Sequence, residues 1–332
     1  MASQDFVSLD TADDDFDEYE KYFTSSVTRR NAITPCDPVP LLSLQLKAPP
    51  AKQPKTLNFS QEPYIVDAHF HPDKIYSTHD LVPSPAMERA ISCFAYPDTW
   101  PDQYQVFLPA QYDLYTLGYH PTRADVNHQV NLQRFESLLQ NDHRIVGIGE
   151  VGLDYYRGPF DPQKQQFLLT QILALVVEYD KPLVLHVRDF PGKNKASTDA
   201  LRIVSAHLPK THPVYLHCFS YDAFEYIKWK QRFSNLIIGW SPLICKTDDP
   251  ELLILASTVE EGQYVLETDS PYFNNNEYTH PKEVLEVAKK VGSLRKCPPF
   301  VVLSAAKQAC LEFFRLSTPV PSIFSPSLTQ PQ

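Results

Sequence analysis

Residues 64–73 read Tyr64-Ile65-Val66-Asp67-Ala68-His69-Phe70-His71-Pro72-Asp73, an apolar run that delivers two histidines one residue apart and is closed by proline. The β-branched start predicts a strand over 64–68. Side chains alternate along a strand, so if the extended chain continues, His69 and His71 project to one side. Ala68 and Phe70 then alternate away from them and pack behind. Such a pair is either two ordinary histidines on a solvated strand or two nitrogen ligands of a metal at a strand end. The rest of the chain decides between these by supplying, or not supplying, the missing ligands.

Working outward, short β-rich runs alternate with longer amphipathic segments. Strands are predicted at 64–68, 90–95, 115–119, 144–149, 182–187, 213–219, 235–240 and 264–268. Several are continuously apolar, as parallel strands buried on both faces must be. Helices are predicted at about 125–140, 161–179, 197–208, 221–232, 249–258, 280–291 and 300–315. Asp161-Pro162 opens the second of these with a capping residue and a proline at the first helical position. Eight strands within residues 61–318 match a (β/α)8 TIM barrel in number and size. A doubly wound sheet is the alternative, but no GxGxxG recommends it.

The ionisable residues fall where strands run out. His69 and His71 close the first run, Glu150 follows the fourth, His186 and His217 end the fifth and sixth, and Asp269 follows the eighth. In a barrel these positions share the face on which active sites are built. Any one of them has an ordinary explanation: a surface HxH, a helix-start acid, a core histidine bonded to a carbonyl, a turn cap. Five strand ends that all carry metal-competent groups point instead to N/O ligation of a divalent ion. Six ligands suit two ions about 3.5–4 Å apart better than one. A ferrous, manganese, zinc or magnesium site fits this donor set.

Other residues are read against this set. His120, in GYHP after the third strand, lies at the same face and suits a substrate-contacting or supporting role. Arg188 follows His186 and suits bidentate phosphate binding, or else an ion pair. Trp100, Tyr155, Tyr156, Tyr272 and Phe273 lie near strand-end loops and can stack on exposed bases or pack the loops. His79, His128, His143, His207, His212 and His280 read as surface residues.

Charge is uneven. The first 22 residues hold eight acids and one lysine, -7 of the chain's formal -10. Six prolines then precede Ser60, and the first glycine is Gly118. Residues 1–60 read as a largely disordered acidic and Pro-rich extension, with VPLLSLQL at 39–46 available to a protein partner; 319–332 read as a short flexible tail. No run suggests a membrane span or secretory leader, and six scattered cysteines without a CxxC pair suit reduced thiols, so a cytoplasmic or nuclear setting is expected. The sequence pI near 5.5 offers no long-range attraction for nucleic acid, but it does not exclude an enzyme that meets phosphates through metal ions.

The segments VDAHFHPD, LGYHP, VGIGEVGLDYY, LVLHVRD, LHCFS and VLETDSPY, in this order, closely resemble the TatD-type metal-dependent deoxyribonucleases of the amidohydrolase superfamily. The resemblance covers about 61–316. It implies a (β/α)8 barrel with two divalent ions. His69 and His71 would hold one ion, His186 and His217 the other, and Glu150 both. Asp269 would complete the first site and handle protons. It further implies hydrolysis of DNA phosphodiester bonds, typically as a 3′→5′ exonuclease with Mg2+ or a similar ion (Mn2+ or Zn2+ as alternatives), with some members acting at abasic sites; single-stranded DNA or DNA ends are the expected substrate. The chain departs from the pattern at Tyr221, where glycine is usual, in FNNNEYTHP after ETDSPY, and at Ala306 and Cys310 in the closing helix. A hydrolase of a small phosphoester, ester or amide, and a non-catalytic barrel scaffold, are the rival readings.

Overall fold

The computed structural model describes residues 65–76, 84–102, 108–124, 128–156, 161–273 and 280–316. The predicted extension 1–60, the tail 319–332 and His79 lie outside the described residues.

Eight parallel strands form one sheet in chain order. They are β1 (Ile65–Phe70), β2 (Met87–Phe94), β3 (Tyr115–Leu117), β4 (Ile145–Asp154), β5 (Leu183–Arg188), β6 (Val214–Leu216), β7 (Leu236–Trp240) and β8 (Tyr264–Leu266). The surrounding helices are α1 (Pro72–Tyr76), α2 (His128–Asn141), α3 (Pro162–Glu178), α4 (Lys195–His207), α5 (Ala223–Arg232), α6 (Leu243–Lys246), α7 (Pro250–Thr258), α8 (Val284–Arg295) and α9 (Pro299–Phe313). This is the (β/α)8 barrel expected from the strand count. Asp161 caps α3 as its sequence predicts, accepting from Gln163 N at 2.8 Å. The short α1 and α6 were not predicted; each has too few residues for a readable helical period.

The strands are apolar because both of their faces are covered. The outer face packs on the helices in one large core. The lumen holds Val66, Ile91, Val184, Tyr215, Ile237 and Val265, closed from below by Cys310, Phe313 and Phe314 of α9. Cys310 therefore has a plain structural role as part of an apolar plug. The β1–β2 register shifts between Asp67 and Phe70. Ala68 accordingly belongs to the lumen cluster, whereas Phe70 belongs to the outer core, edge-on to Tyr112 at 5.6 Å. The expectation that both pack on one side fails because that irregularity changes the phase of the strand.

The seam between the first and last strands is held by a buried carboxylate. Asp67 accepts from His69 N at 3.1 Å, Thr268 N at 3.0 Å and Thr268 Oγ1 at 2.5 Å. Asp269 N donates to His69 O at 3.0 Å, and His71 N to Ser270 O at 2.8 Å. These bonds bring the HxH and ETD segments side by side. No helix among the described residues is long and apolar enough to cross a membrane. The five described cysteines are free thiols.

Two surface assignments are corrected. His212 and His280 are buried. His212 Nε2 pairs with Lys181 O at 3.1 Å, and His280 Nδ1 accepts from Lys282 N at 3.0 Å to cap a short turn. Each satisfies a backbone group that would otherwise be left unpaired, a job invisible to periodicity. His143 and His207 are exposed, as expected.

Between α2 and β4, Asp142 accepts from Tyr115 Oη at 2.8 Å and from Arg144 N and Nε at 3.0 and 2.9 Å. Partial burial alone would raise its pKa; the Arg144 and Tyr115 donors outweigh this and hold it down to about 2. A carboxyl lowered by folding contributes stability above its ordinary pKa of about 3.9 and loses it as pH falls toward the folded value. The stability difference between the wild type and Asp142→Asn should therefore be largest near neutral pH and shrink between about pH 4 and 2, by urea unfolding. Curves that stay parallel through that window would contradict the assignment.

Candidate metal centre

The end of β1 carries His69, and His71 follows the strand directly; their Nε2 atoms face each other at 3.3 Å. A hydrogen bond between them would use one proton, whereas a shared cation would use both lone pairs. β4 carries Glu150 into the same space, with Oε2 3.8 Å from His69 Nε2 and 3.5 Å from His71 Nε2. The segment after β8 returns Asp269, with Oδ1 3.7 and 3.2 Å from the same nitrogens. Asp269 reaches this position with φ +52°, a left-handed conformation that aspartate tolerates better than most residues.

The other oxygen of Glu150 faces a second group. His186 Nδ1 is within hydrogen-bonding contact of Oε1, and His217 Nε2 is 3.6 Å from it. His120 Nε2 is also 3.6 Å away. All six predicted ligands thus meet at the C-terminal mouth of the barrel, and His120 meets them. Only His186 among them is more than a tenth exposed.

The donor set fits divalent cations. Donors about 2.0–2.2 Å from one tetrahedral cation stand roughly 3.3–3.6 Å apart, close to the separations found among His69, His71, Glu150 and Asp269. Asp269 Oδ1 is buried without a well-aligned hydrogen bond, although His71 Nε2 is 3.2 Å away. Glu150, His186 and His217 form a second group whose ligand atoms could share an ion.

Burial alone would raise the pKa of Glu150, but His186, His120 and His217 outweigh it and hold the carboxyl well below its usual range. Burial would lower His217; Glu267, Asp269 and Glu150 instead lift it to about 10. His71 and His186 are likewise raised against burial, by Asp269 and Glu150 and by Glu150 and Asp154. Burial lowers His69, helped by His217 and His71; its ring stacks on His217 with centroids 3.9 Å apart. Imidazole ligates in its neutral form, so cation binding here displaces protons.

Two carboxylates escaped the sequence reading. Asp154 lies on β4, which runs to residue 154 rather than stopping at 149; its Oδ2 is 3.3 Å from His186 Nε2 and 2.5 Å from Arg188 Nη2. The signal was present as period two through Glu150, Gly152 and Asp154. Gly152 has φ +150°, and a Cβ there would stand 1.9 Å from His186 O, so only glycine permits this approach. Glu267, fully buried, accepts from Cys218 N at 2.6 Å and from Tyr215 Oη, and pairs with His217 Nδ1 at 2.9 Å. A Cβ on Gly239 would lie 2.6 Å from its carboxyl carbon.

Arg188 is therefore ion-paired with Asp154, its guanidinium 5.2 Å over the Tyr156 ring. Trp100 cannot stack on a ligand: it is fully buried, donates to Gly118 O at 2.9 Å and packs against Tyr119 and Phe135. Phe273 is also buried, Tyr155 is tied to Gln166 and Asp199, and Tyr272 lies edge-on to His71 at 5.3 Å. Tyr156 is half-buried.

A carboxylate behind a metal-binding histidine fixes its tautomer and orientation, and its loss typically weakens binding about 10–100-fold. Glu267→Gln should show a loss of that size for one of two Mn2+ equivalents in calorimetric titration, with the barrel still folded. Two unchanged equivalents would remove Glu267 from this role.

A family model described as TatD related DNase matches residues 66–315. An uncharacterized metal-dependent hydrolase of Methanocaldococcus jannaschii is 27% identical over 212 residues, 63% of this chain and 78% of that protein. A 3'-5' ssDNA/RNA exonuclease TatD from Cronobacter sakazakii is 30% identical over 158 residues, 47% of this chain and 57% of that enzyme. The crystal structure of the TatD homolog YJJV from Escherichia coli superposes with a TM-score of 0.65 at 20% identity, covering 77% of this chain and all of that one. With the family match spanning residues 66–315 and groups of histidines and carboxylates at the barrel mouth that could hold a metal ion, the chain belongs to the TatD related DNase family of metal-dependent hydrolases.

Proposed function

We propose that this protein is a divalent-metal-dependent deoxyribonuclease that hydrolyses DNA phosphodiester bonds, acting 3′→5′ on single strands or ends. The observation that carries the reading is the division of Glu150, one oxygen toward His69 and His71 and the other toward His186 and His217. Bound cations, Mg2+ first and Mn2+ or Zn2+ as alternatives, supply a polarised phosphoryl oxygen and a water of lowered pKa. His69, His71 and Asp269 would hold one, His186 and His217 would hold the other, and Glu150 stands between the two groups. Asp269 takes the proton from the attacking water and returns one to the leaving oxygen. Arg188, held beside His186 by Asp154, balances charge on the phosphate, and His120 flanks Glu150. The family description and the activity in the name of the Cronobacter relative support nucleic acid as substrate.

The test is cleavage of end-labelled single-stranded, duplex and abasic DNA with Mg2+, Mn2+ or Zn2+. Single strands should shorten from the 3′ end, and Glu150→Ala should lose at least about 100-fold, more than the loss of a group behind a ligand costs. Absence of metal-dependent products, with turnover of a small ester, would assign the centre to another hydrolytic chemistry.

A further inference from the structure

Side chains climbing β4 and β5 toward the mouth change chemistry in steps of two. On β4 and just beyond it they are Glu150, Asp154 and Tyr156; on β5 and just beyond it they are His186, Arg188 and Phe190. The ladder pairs Gly152 with His186 and Asp154 with Arg188, and Tyr155 N donates to Arg188 O at 2.8 Å, carrying the pairing past the strand ends. Within the strands each two-residue step advances about 6.6 Å, so Glu150 and Asp154 stand two steps apart with Gly152 between them. The lowest level is the metal centre, where His186 meets Glu150. Above it stands the Asp154–Arg188 ion pair at 2.5 Å. Above that, the Arg188 guanidinium lies 5.2 Å over the Tyr156 ring, whose centroid is 5.1 Å from that of Phe190.

Phe190 is 54% exposed, yet its backbone is firmly held. Lys193 N donates to Phe190 O at 2.9 Å. The preceding Asp189 accepts from Ala196 N at 2.8 Å and Ser197 N at 3.2 Å, anchoring the loop to the start of α4. Tyr221 Oη donates to Asp189 Oδ2 at 2.9 Å. Other large exposed apolar side chains, such as Phe167, Phe224 and Ile254, lie on the outer helices and have no such continuity with the centre.

We propose that Tyr156 and Phe190 form a ledge that stacks an unpaired nucleobase of the strand whose phosphate sits at the metal centre, with Arg188 between the two. This rests on the nuclease reading and sharpens it. An unpaired base offers a free π-face to an aromatic ring, whereas a base within a duplex is already stacked and paired. The ledge therefore selects single-stranded ends without reading sequence.

The experiment compares the full-length wild type, Phe190→Ala and Phe190→Trp on a single-stranded oligonucleotide and on the same strand with its terminal nucleotides abasic. Phe190→Ala should raise KM about tenfold on the base-bearing strand, with kcat changing far less; Phe190→Trp should keep the wild-type KM. On the abasic strand wild type and Phe190→Ala should match. An unchanged KM on the base-bearing strand, or an equal loss on both strands, overturns the ledge. If the wild type hydrolyses no strand at all, the nuclease reading fails, and the ledge is judged by fluorescence anisotropy in EDTA. Tighter binding of the base-bearing than the abasic strand, lost in Phe190→Ala, supports it; no such difference overturns it.

Discussion

A carboxylate taken out of water must be compensated by charge or by hydrogen bonds, or it takes up a proton. Glu150 is 3% exposed and is compensated by the imidazoles of His186, His120 and His217, while its other oxygen faces His71 Nε2 at 3.5 Å. That arrangement is the constraint from which the rest of the site follows. It requires strands far apart in sequence to end at one level, and it requires each histidine to present a chosen nitrogen. The backing carboxylates meet the second requirement: Glu267 takes His217 Nδ1 and Asp154 takes His186 Nε2, leaving the opposite nitrogen of each ring for the centre.

The barrel meets the first requirement by separating its two ends. The α9 plug of Cys310, Phe313 and Phe314 makes the lower lumen an apolar core. The upper lumen is then free to carry polar groups that would be costly in a packed interior. Tyr215 marks the boundary: its ring packs on Phe313 with centroids 5.8 Å apart, while its hydroxyl supports Glu267. The Asp67 seam closes the barrel where the HxH and ETD segments must meet. One buried acid thereby joins fold closure to ligand placement.

The barrel and the convergence of six histidines and carboxylates at its mouth were legible because each lies at the end of an apolar run, where period and punctuation are both visible. What was not legible shares a different property. Asp154 continues the two-residue alternation from Glu150, but the β4–β5 register shifts between Ile148 and Val151, so the phase of the preceding apolar run does not carry through to it. Glu267 reads as a misfit in a strand until Tyr215, His217 and Cys218, about 50 residues earlier, are known to surround it. Trp100 read as a loop aromatic because its partners come from the segment just after β3 and from α2. His212 and His280 are buried for the backbone groups they satisfy. Arg188 was read as a choice between phosphate and ion pair, and the structure supplies an ion-pair partner in Asp154.

The most direct test of the shared-carboxylate account is anomalous diffraction from crystals of the full chain grown with Mn2+. The account predicts two peaks about 3.5–4 Å apart on either side of the Glu150 carboxylate, one among His69, His71 and Asp269 and the other beside His186 and His217. A single peak, or peaks that leave Glu150 uncoordinated, would contradict it.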